Sequence, residues 1–570
     1  MVTTSSGPSS PTTGDDHRLR RDIGTVGLLF TGIGSVIGSG WLFGALNAAE
    51  IAGPASLLSW AIGGVMIVFI GLCYAEIGVM FPHSGGVVRF PHYAFGSFAS
   101  FATGWITWLA AASVAPIEVE AALQYATNYV PWLTALSPDG TPVLTGPGYA
   151  VAAAMMLVFC VINVFGVRWF SRINTAIVWW KLAIIVLVIV VFLVLSFNAD
   201  HLASAGGFAP YGAHGVFSAI ATGGIAFSYF GFRQGVELAG ETRNPQRNIP
   251  LTLIGSVVIC GLIYVLLQLA FLGAVPTSSL SQGWSGVGTN FSGDSNVLAQ
   301  FGPLAAIAGV LGASWLAVLL YVDAVVSPAD TGLIYTTVTS RLSYAMARNG
   351  NAPSALARTN PRGAPWVSIV LAFVVGLIFF LPFPGWQQLV GFITSATVLS
   401  FGSGPLALVA LRKQLPDRER RFFLRGGIVV PFLAFWSSNL IVYWSGWDTN
   451  WKLFVAVLLG FVLFGAHELL YRGRTPQVDL RHGMWVLPWL AGLCLISWAG
   501  SFPEPSEGAG NLGVLDFNLG FVATFLLSAL VMWLAQRHRL PADRVAALVP
   551  DETDTAATHD DGAMRDTHRR

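Results

Sequence analysis

Gly32-Ile33-Gly34-Ser35-Val36-Ile37-Gly38-Ser39-Gly40 lies in the middle of the first long hydrophobic segment of the chain. Each glycine inside a helix loses roughly 1 kcal/mol relative to alanine, yet the bilayer core demands a fully hydrogen-bonded backbone. This run therefore predicts a break in a membrane helix. Non-helical backbone at that depth is tolerated only where it is buried in protein or lines a cavity, and it leaves N–H and C=O groups free to hold a ligand. The other reading of the same residues is close helix packing through small side chains.

The composition sets the class. Of 570 residues, 54% are hydrophobic and 10% charged, with mean hydropathy +0.65, far from the quarter-charged content of a soluble domain. The hydrophobic segments are long and continuous rather than short and alternating, which selects an all-α integral membrane protein over an outer-membrane barrel. A net charge of +1 gives no reason to expect a nucleic-acid partner. Cys73, Cys160, Cys260 and Cys494 all fall in hydrophobic segments without metal-type spacing and read as small buried thiols. No metal site and no cofactor are expected, and no cleavable signal peptide precedes the first span.

At about 20 residues per crossing, the pattern predicts about fourteen spans, at roughly 24–48, 54–80, 98–126, 148–166, 172–196, 214–240, 250–275, 305–340, 366–382, 386–411, 427–446, 451–471, 484–500 and 517–536. Residues 297–312 read as a partly inserted outer segment before the eighth. Residues 1–21 and 537–570 read as disordered tails, too poor in apolar groups to fold, and 87–95 as a short interfacial helix. Of the thirty Lys and Arg residues, all but Lys181 and Lys452 fall on one side of this topology, as in Arg341-to-Arg362 and Arg412-to-Arg425. The positive-inside rule makes that side, with both termini, cytoplasmic. The opposite loops are Gly-, Ser- and Pro-rich connectors.

A second interruption, Gly223-Gly224-Ile225-Ala226-Phe227-Ser228-Tyr229-Phe230-Gly231-Phe232, falls in the sixth span, five after the first. Two broken segments in corresponding positions of two halves point to a midplane site in an inverted-repeat transporter. Half-helix N-termini favour a carboxylate and freed carbonyls accept from an ammonium, which suits an amino acid.

Gly32 to Gly40 followed by Trp41-Leu42-Phe43-Gly44 resembles the first-helix signature of the amino acid–polyamine–organocation (APC) superfamily. So do Glu76 with Pro82 and Gly85-Gly86, the run Gly240 to Pro250, and Ser340-Arg341 through Gly350, all in family order over about residues 22–411. The resemblance implies a LeuT-like core of ten helices in two inverted repeats of five at 22–411; the span count adds four further helices at 412–536. It also implies that Val36, Ile37, Gly38, Ser39 and Gly40, with Phe227, Ser228, Tyr229 and Gly231, surround the substrate's amino and carboxylate groups.

Where many family members carry an acidic residue after Gly-Phe, this chain has Arg233, which, with Glu118-Val119-Glu120-Ala121, is similar to the aspartate–proton symporter branch. An arginine there can grip a side-chain carboxylate bidentately; it can equally serve an inner-gate ion pair with Glu237 or snorkel at a helix end. Lys181 lies nine residues after Arg172, about 13 Å along a helix, near the midplane. It is a candidate proton site or a structural donor to broken-helix carbonyls, and in proton-coupled relatives a fifth-helix lysine takes the place of a sodium ion. Glu118 and Glu120, two apart, face different ways, so at most one lines the pathway; Glu118 is named for proton coupling. Asp323 and Asp330 flank Ser327-Pro328 and mark a kink or a cap. Glu241 and Arg247 form a gating pair by resemblance and a solvated pair otherwise. His467-Glu468 and Lys452 have no expected transport role.

The expected function is import of an amino acid with an acidic bias, L-aspartate or L-glutamate, coupled to H+ by alternating access in a bacterial cytoplasmic membrane. An amino acid or amine exchanger on the same fold is the alternative, and a non-transporting sensor a remote one. No enzyme is expected, because no catalytic cluster appears. The partners are the small-molecule substrate, H+ and the lipid bilayer.

Overall fold

The computed structural model describes residues 23–82, 86–137, 141–165, 170–288, 301–348, 351–470, 478–502 and 510–549, with backbone only at 170–174 and 241. Among the described residues, ten helices are long and apolar enough to cross a membrane, and four shorter apolar helices accompany them. The chain is a nearly all-helical membrane protein of LeuT-like fold.

The first hydrophobic segment is two helices, α1 (Thr25–Val36) and α2 (Gly40–Ala52), followed by α3 (Ser56–Met80), α4 (Gly86–Phe95), α5 (Ser97–Ala126), α6 (Gly146–Phe165) and α7 (Phe170–Ser196). The sixth segment is broken twice. α8 (Gly212–Ala221) ends before Gly224, whose φ of +83° is left-handed, and α9 (Ile225–Ser228) ends before Gly231, with φ of +104°; α10 (Gln234–Glu237) completes it. After α11 (Pro245–Ala274) come α12 (Pro303–Val310), α13 (Ser314–Arg348), α14 (Trp366–Phe379), α15 (Trp386–Phe401) and α16 (Ser403–Gln414). The eighth hydrophobic segment is thus one 35-residue helix, α13, preceded by a short separate one.

Both readings of the opening glycine run hold, at different residues. Gly32 and Gly34 stay helical and admit neighbours: a Cβ on Gly34 would lie 2.4 Å from Val178 Cγ2. Gly38 and Gly40 flank the break, where a Cβ would strike Glu118 Oε1 at 2.5 Å and the Ser228 hydroxyl respectively. Gly231 meets α1 backbone to backbone, leaving no room for any side chain beside the Ser35 carbonyl.

The additional helices α17 (Val429–Trp444), α18 (Trp447–Leu470), α19 (Leu480–Gly483), α20 (Val486–Ala499) and α21 (Phe517–Arg537) are tied to the core by satisfied buried amides. Asn450 donates to Val442 O (2.6 Å) and Ser497 Oγ (2.9 Å), and accepts from Ser395 Oγ on α15 (3.0 Å).

Three expectations change. Residues 537–549 are not a featureless tail: Pro541 opens α22 (Ala542–Leu548), Val545 is buried, and Leu540 N–H donates to Ala94 O (3.0 Å). Apolar Leu540, Val545 and Val549 supply the contact area that the charged residues around them conceal. α4 buries Val87, Val88, Phe90 and Tyr93 against protein, packing on α5 and α16 rather than lying as an interfacial helix. The loop before α6 carries a hairpin, β1 (Thr134–Leu136) and β2 (Pro142–Leu144), paired Thr134 to Leu144. Residues 1–22 and 550–570 lie outside the described residues.

Candidate functional site

The break after α1 exposes carbonyls that an ammonium can use, and Lys181 of α7 reaches them. Its Nζ lies 2.9 Å from Ile37 O, 3.3 Å from Gly34 O, 3.4 Å from Thr331 Oγ1 and 2.7 Å from Asp330 Oδ2. An ammonium has three donors for these four oxygens. Lys181 and Asp330 have no side-chain exposure, so charge neutralisation inside the pair is what makes either tolerable at membrane depth. Sequence reasoning found the lysine and missed its counter-ion, giving Asp330 only a kink or cap role. Asp323 accepts from Ser327 Oγ (3.0 Å), one turn on along α13.

Glu118 closes the other side of the break. Its Oε2 accepts the Ser39 N–H at 2.9 Å, so a protein carboxylate already sits at the amino end of α2, where the sequence suggested a substrate carboxylate. Glu120 is buried as well, and among the described residues neither of its oxygens has a hydrogen-bond partner.

A pocket with about 650 Å³ of empty space, part of it open, runs from the break toward Arg233. Ser35, Val36 and Gly38 line it from the first segment; Phe227, Phe230, Gly231 and Arg233 line it from the sixth; Glu118 lines it from α5. The remaining sequence candidates stand behind this surface. Ile37 O faces Lys181, Ser39 Oγ accepts from Trp386 Nε1 (2.9 Å), and Gly40 packs on Ser228, whose hydroxyl donates to Gly224 O (2.8 Å). The Tyr229 hydroxyl points out of the site to Trp60 O (2.9 Å).

Arg233 is half-buried, with Nη1 donating to Ser400 Oγ (3.1 Å) and its guanidinium 4.9 Å from the Phe401 ring centre. Glu237 lines the same pocket, but among the described residues no ion pair joins it to Arg233. One end of the site is sealed by the fully buried Trp386, whose ring packs on Phe43 (4.8 Å) and Phe227 (6.0 Å). Sequence reasoning missed this lid. The Gly-Trp pair at a span's start was the available signal.

At the opposite end, buried Glu76 accepts from Arg412 Nε (2.8 Å) and Nη2 (2.5 Å) and from Leu424 N–H (2.7 Å). This bidentate grip joins α3 to α16, and the Leu424 N–H adds the segment after α16. The loop after α10 is stapled to the start of α1: Arg243 N–H and Thr242 Oγ1 both donate to Ile23 O, and Thr25 Oγ1 donates to Asn248 Oδ1 (2.8 Å). The two broken segments are thereby linked at one end. Arg247, one half of the expected gate, is exposed; the side chain of its expected partner Glu241 lies outside the described residues.

Two broken helices thus face each other around buried charged groups. Residues 23–464 match the amino acid permease family. The chain belongs to that family, within the APC superfamily. The permease is 36% identical over 517 residues to the glutamate/serine transporter AimA of Bacillus subtilis, covering 90% of this chain and 93% of the relative. It is 35% identical over 521 residues to the aspartate–proton symporter of the same organism, covering 90% and 96%. More distantly it is 25% identical over 468 residues to the branched-chain amino acid permease BcaP of Bacillus subtilis, covering 79% and 94%. The permease is thus an integral membrane protein of amino acid transport, and its relatives are transporters rather than enzymes.

Proposed function

We propose that the permease imports an acidic amino acid, L-aspartate or L-glutamate, together with H+ across a bacterial cytoplasmic membrane, with both termini on the cytoplasmic side. The observation that carries the coupling is the buried Lys181–Asp330 pair, whose ammonium bridges to the two carbonyls freed at the α1 break. While protonated, Lys181 holds that backbone in place. Losing the proton removes the charge and one donor, and leaves Asp330 without its counter-charge, so the two protonation states favour different arrangements of the first segment. Glu118 supplies the link to substrate: protonating it weakens its grip on the Ser39 N–H and frees that amide for a substrate carboxylate.

Arg233, which shares the pocket with Glu237 but forms no ion pair with it among the described residues, is the group that takes the side-chain carboxylate. The names of two relatives, a glutamate/serine transporter and an aspartate–proton symporter, support the acidic bias. Trp386 over Ser39 keeps the outer side closed while the Arg233 end opens inward. Residues 22–411 form the transport core, and the helices of 412–536 buttress α3 and α15.

The test is uptake into proteoliposomes containing no amino acid. An inside-alkaline gradient should drive concentrative uptake of aspartate or glutamate. Silence without internal substrate, restored by preloading, would assign exchange instead.

A further inference from the structure

α18 is buried along one stripe, Asn450, Leu453, Val457, Gly460 and Phe464, and is half-buried or exposed elsewhere. It is pinned at Gly460, where a Cβ would fall 2.1 Å from Trp105 Nε1, and Trp105 donates to Ala456 O (3.0 Å). On one side of this pin the helix leaves a trench against α5, the end of α13, and α14, with about 2000 Å³ of empty space counting its open part. Trp451 and His467 both line it, so it runs about 24 Å along the helix at 1.5 Å per residue, most of a hydrocarbon core about 30 Å thick.

The walls are apolar, with Trp105, Leu371, Val375, Val455, Leu459 and Leu463 among them. Ser343, a polar side chain in the wall, is already used, accepting from Trp108 Nε1 (2.6 Å) and donating to Thr339 O (2.9 Å). The middle of the trench therefore offers nothing to an amino acid and suits a hydrocarbon chain.

The two ends differ in charge. Lys452 at one end is paired with Asp448 (3.2 Å). The other end is lined by Asn351, Ala352, Pro353, Ala355 and Leu356 and by His467, which pairs with Glu468; Arg348 and Arg358 stand two residues along the chain from the lining Met346 and Leu356, and no Asp or Glu occurs between Asp330 and Asp417. These arginines are exposed and form no ion pair among the described residues. We propose that the trench is a binding site for a glycerophospholipid with an anionic headgroup, its acyl chain lying along α18 and its phosphate drawn toward Arg348 and Arg358, near in sequence to the Asn351 end. Basic residues beside a membrane attract anionic headgroups by about 1 kcal/mol each, about fivefold in affinity per arginine.

The experiment uses the purified full chain in detergent, with dioleoyl-phosphatidylglycerol and dioleoyl-phosphatidylcholine as probes and native mass spectrometry to count bound lipid. Wild type should retain phosphatidylglycerol over phosphatidylcholine by tenfold or more. The double substitution R348Q/R358Q should remove that preference. Leu459→Trp and Ile378→Trp, each at a half-exposed position lining the trench, should reduce retention of both lipids without lowering the melting temperature in detergent. Equal retention of the two lipids by wild type, or unchanged retention in both trench-filling variants, overturns the site. So does a two-chain species that the filling variants dissociate, since the trench would then be covered by a second copy.

Discussion

Lys181 Nζ on α7 and Asp330 Oδ2 on α13 lie 2.7 Å apart, without exposure, beside the carbonyls of Gly34 and Ile37. Breaking a buried pair by removing one partner costs about 3–5 kcal/mol, because the survivor is left unpaired, whereas replacing both by apolar groups is often neutral. Lys181→Met and Asp330→Leu should therefore each lower the melting temperature in detergent clearly, and the double substitution should recover most of the loss. A double-mutant cycle with additive effects would deny the pair.

The substrate role of Arg233 predicts a selective effect. Hydrogen bonds to charged groups contribute about 1.5–3 kcal/mol, so Arg233→Gln should raise KM for aspartate and glutamate about 10- to 100-fold. Serine uptake, if present, should change by less than about threefold. Competition assays with all three amino acids separate this from an inner-gate role, which would shift every substrate together.

Glu118→Gln preserves a side-chain oxygen for the Ser39 N–H but abolishes titration at that position. Exchange of labelled substrate at equal pH should persist, while the pH dependence of net uptake flattens. A variant with the wild-type pH profile would remove Glu118 from the coupling.

Gly231 has φ of +104°, and a Cβ there would press on the Ser35 backbone. Gly231→Ala should abolish uptake and destabilise the protein by about 1–3 kcal/mol. Gly309→Ala, at a helical glycine with open space around it, should leave melting and uptake unchanged. Equal tolerance at the two positions would contradict the close approach of the broken segments.

The main lines of the fold could be read locally, because hydrophobic length and glycine density are properties of short windows. The break after Val36, the interruption at Gly224 and the intramembrane Lys181 were all visible that way. What escaped was the pairing across the chain. Asp330 stands 149 residues from Lys181, and nothing in its own neighbourhood separates a counter-ion from a helix cap. The physical signal was available even so: a lysine buried in a membrane requires an acid, and Asp323 and Asp330 were the acids on the helix that packs beside it. Trp386 and the Arg412 grip on Glu76 escaped for the same reason. Arg233 stood out because the family resemblance implies an acidic residue there in many members, but its Ser400 and Phe401 partners come from a distant helix.

The most direct measurement is gradient-driven uptake of aspartate by proteoliposomes without internal amino acid, comparing wild type with Lys181→Ala. The account predicts concentrative uptake by wild type under an inside-alkaline gradient, and in the variant only equilibration. Concentrative uptake by Lys181→Ala at the wild-type level would contradict it and place the coupling proton elsewhere.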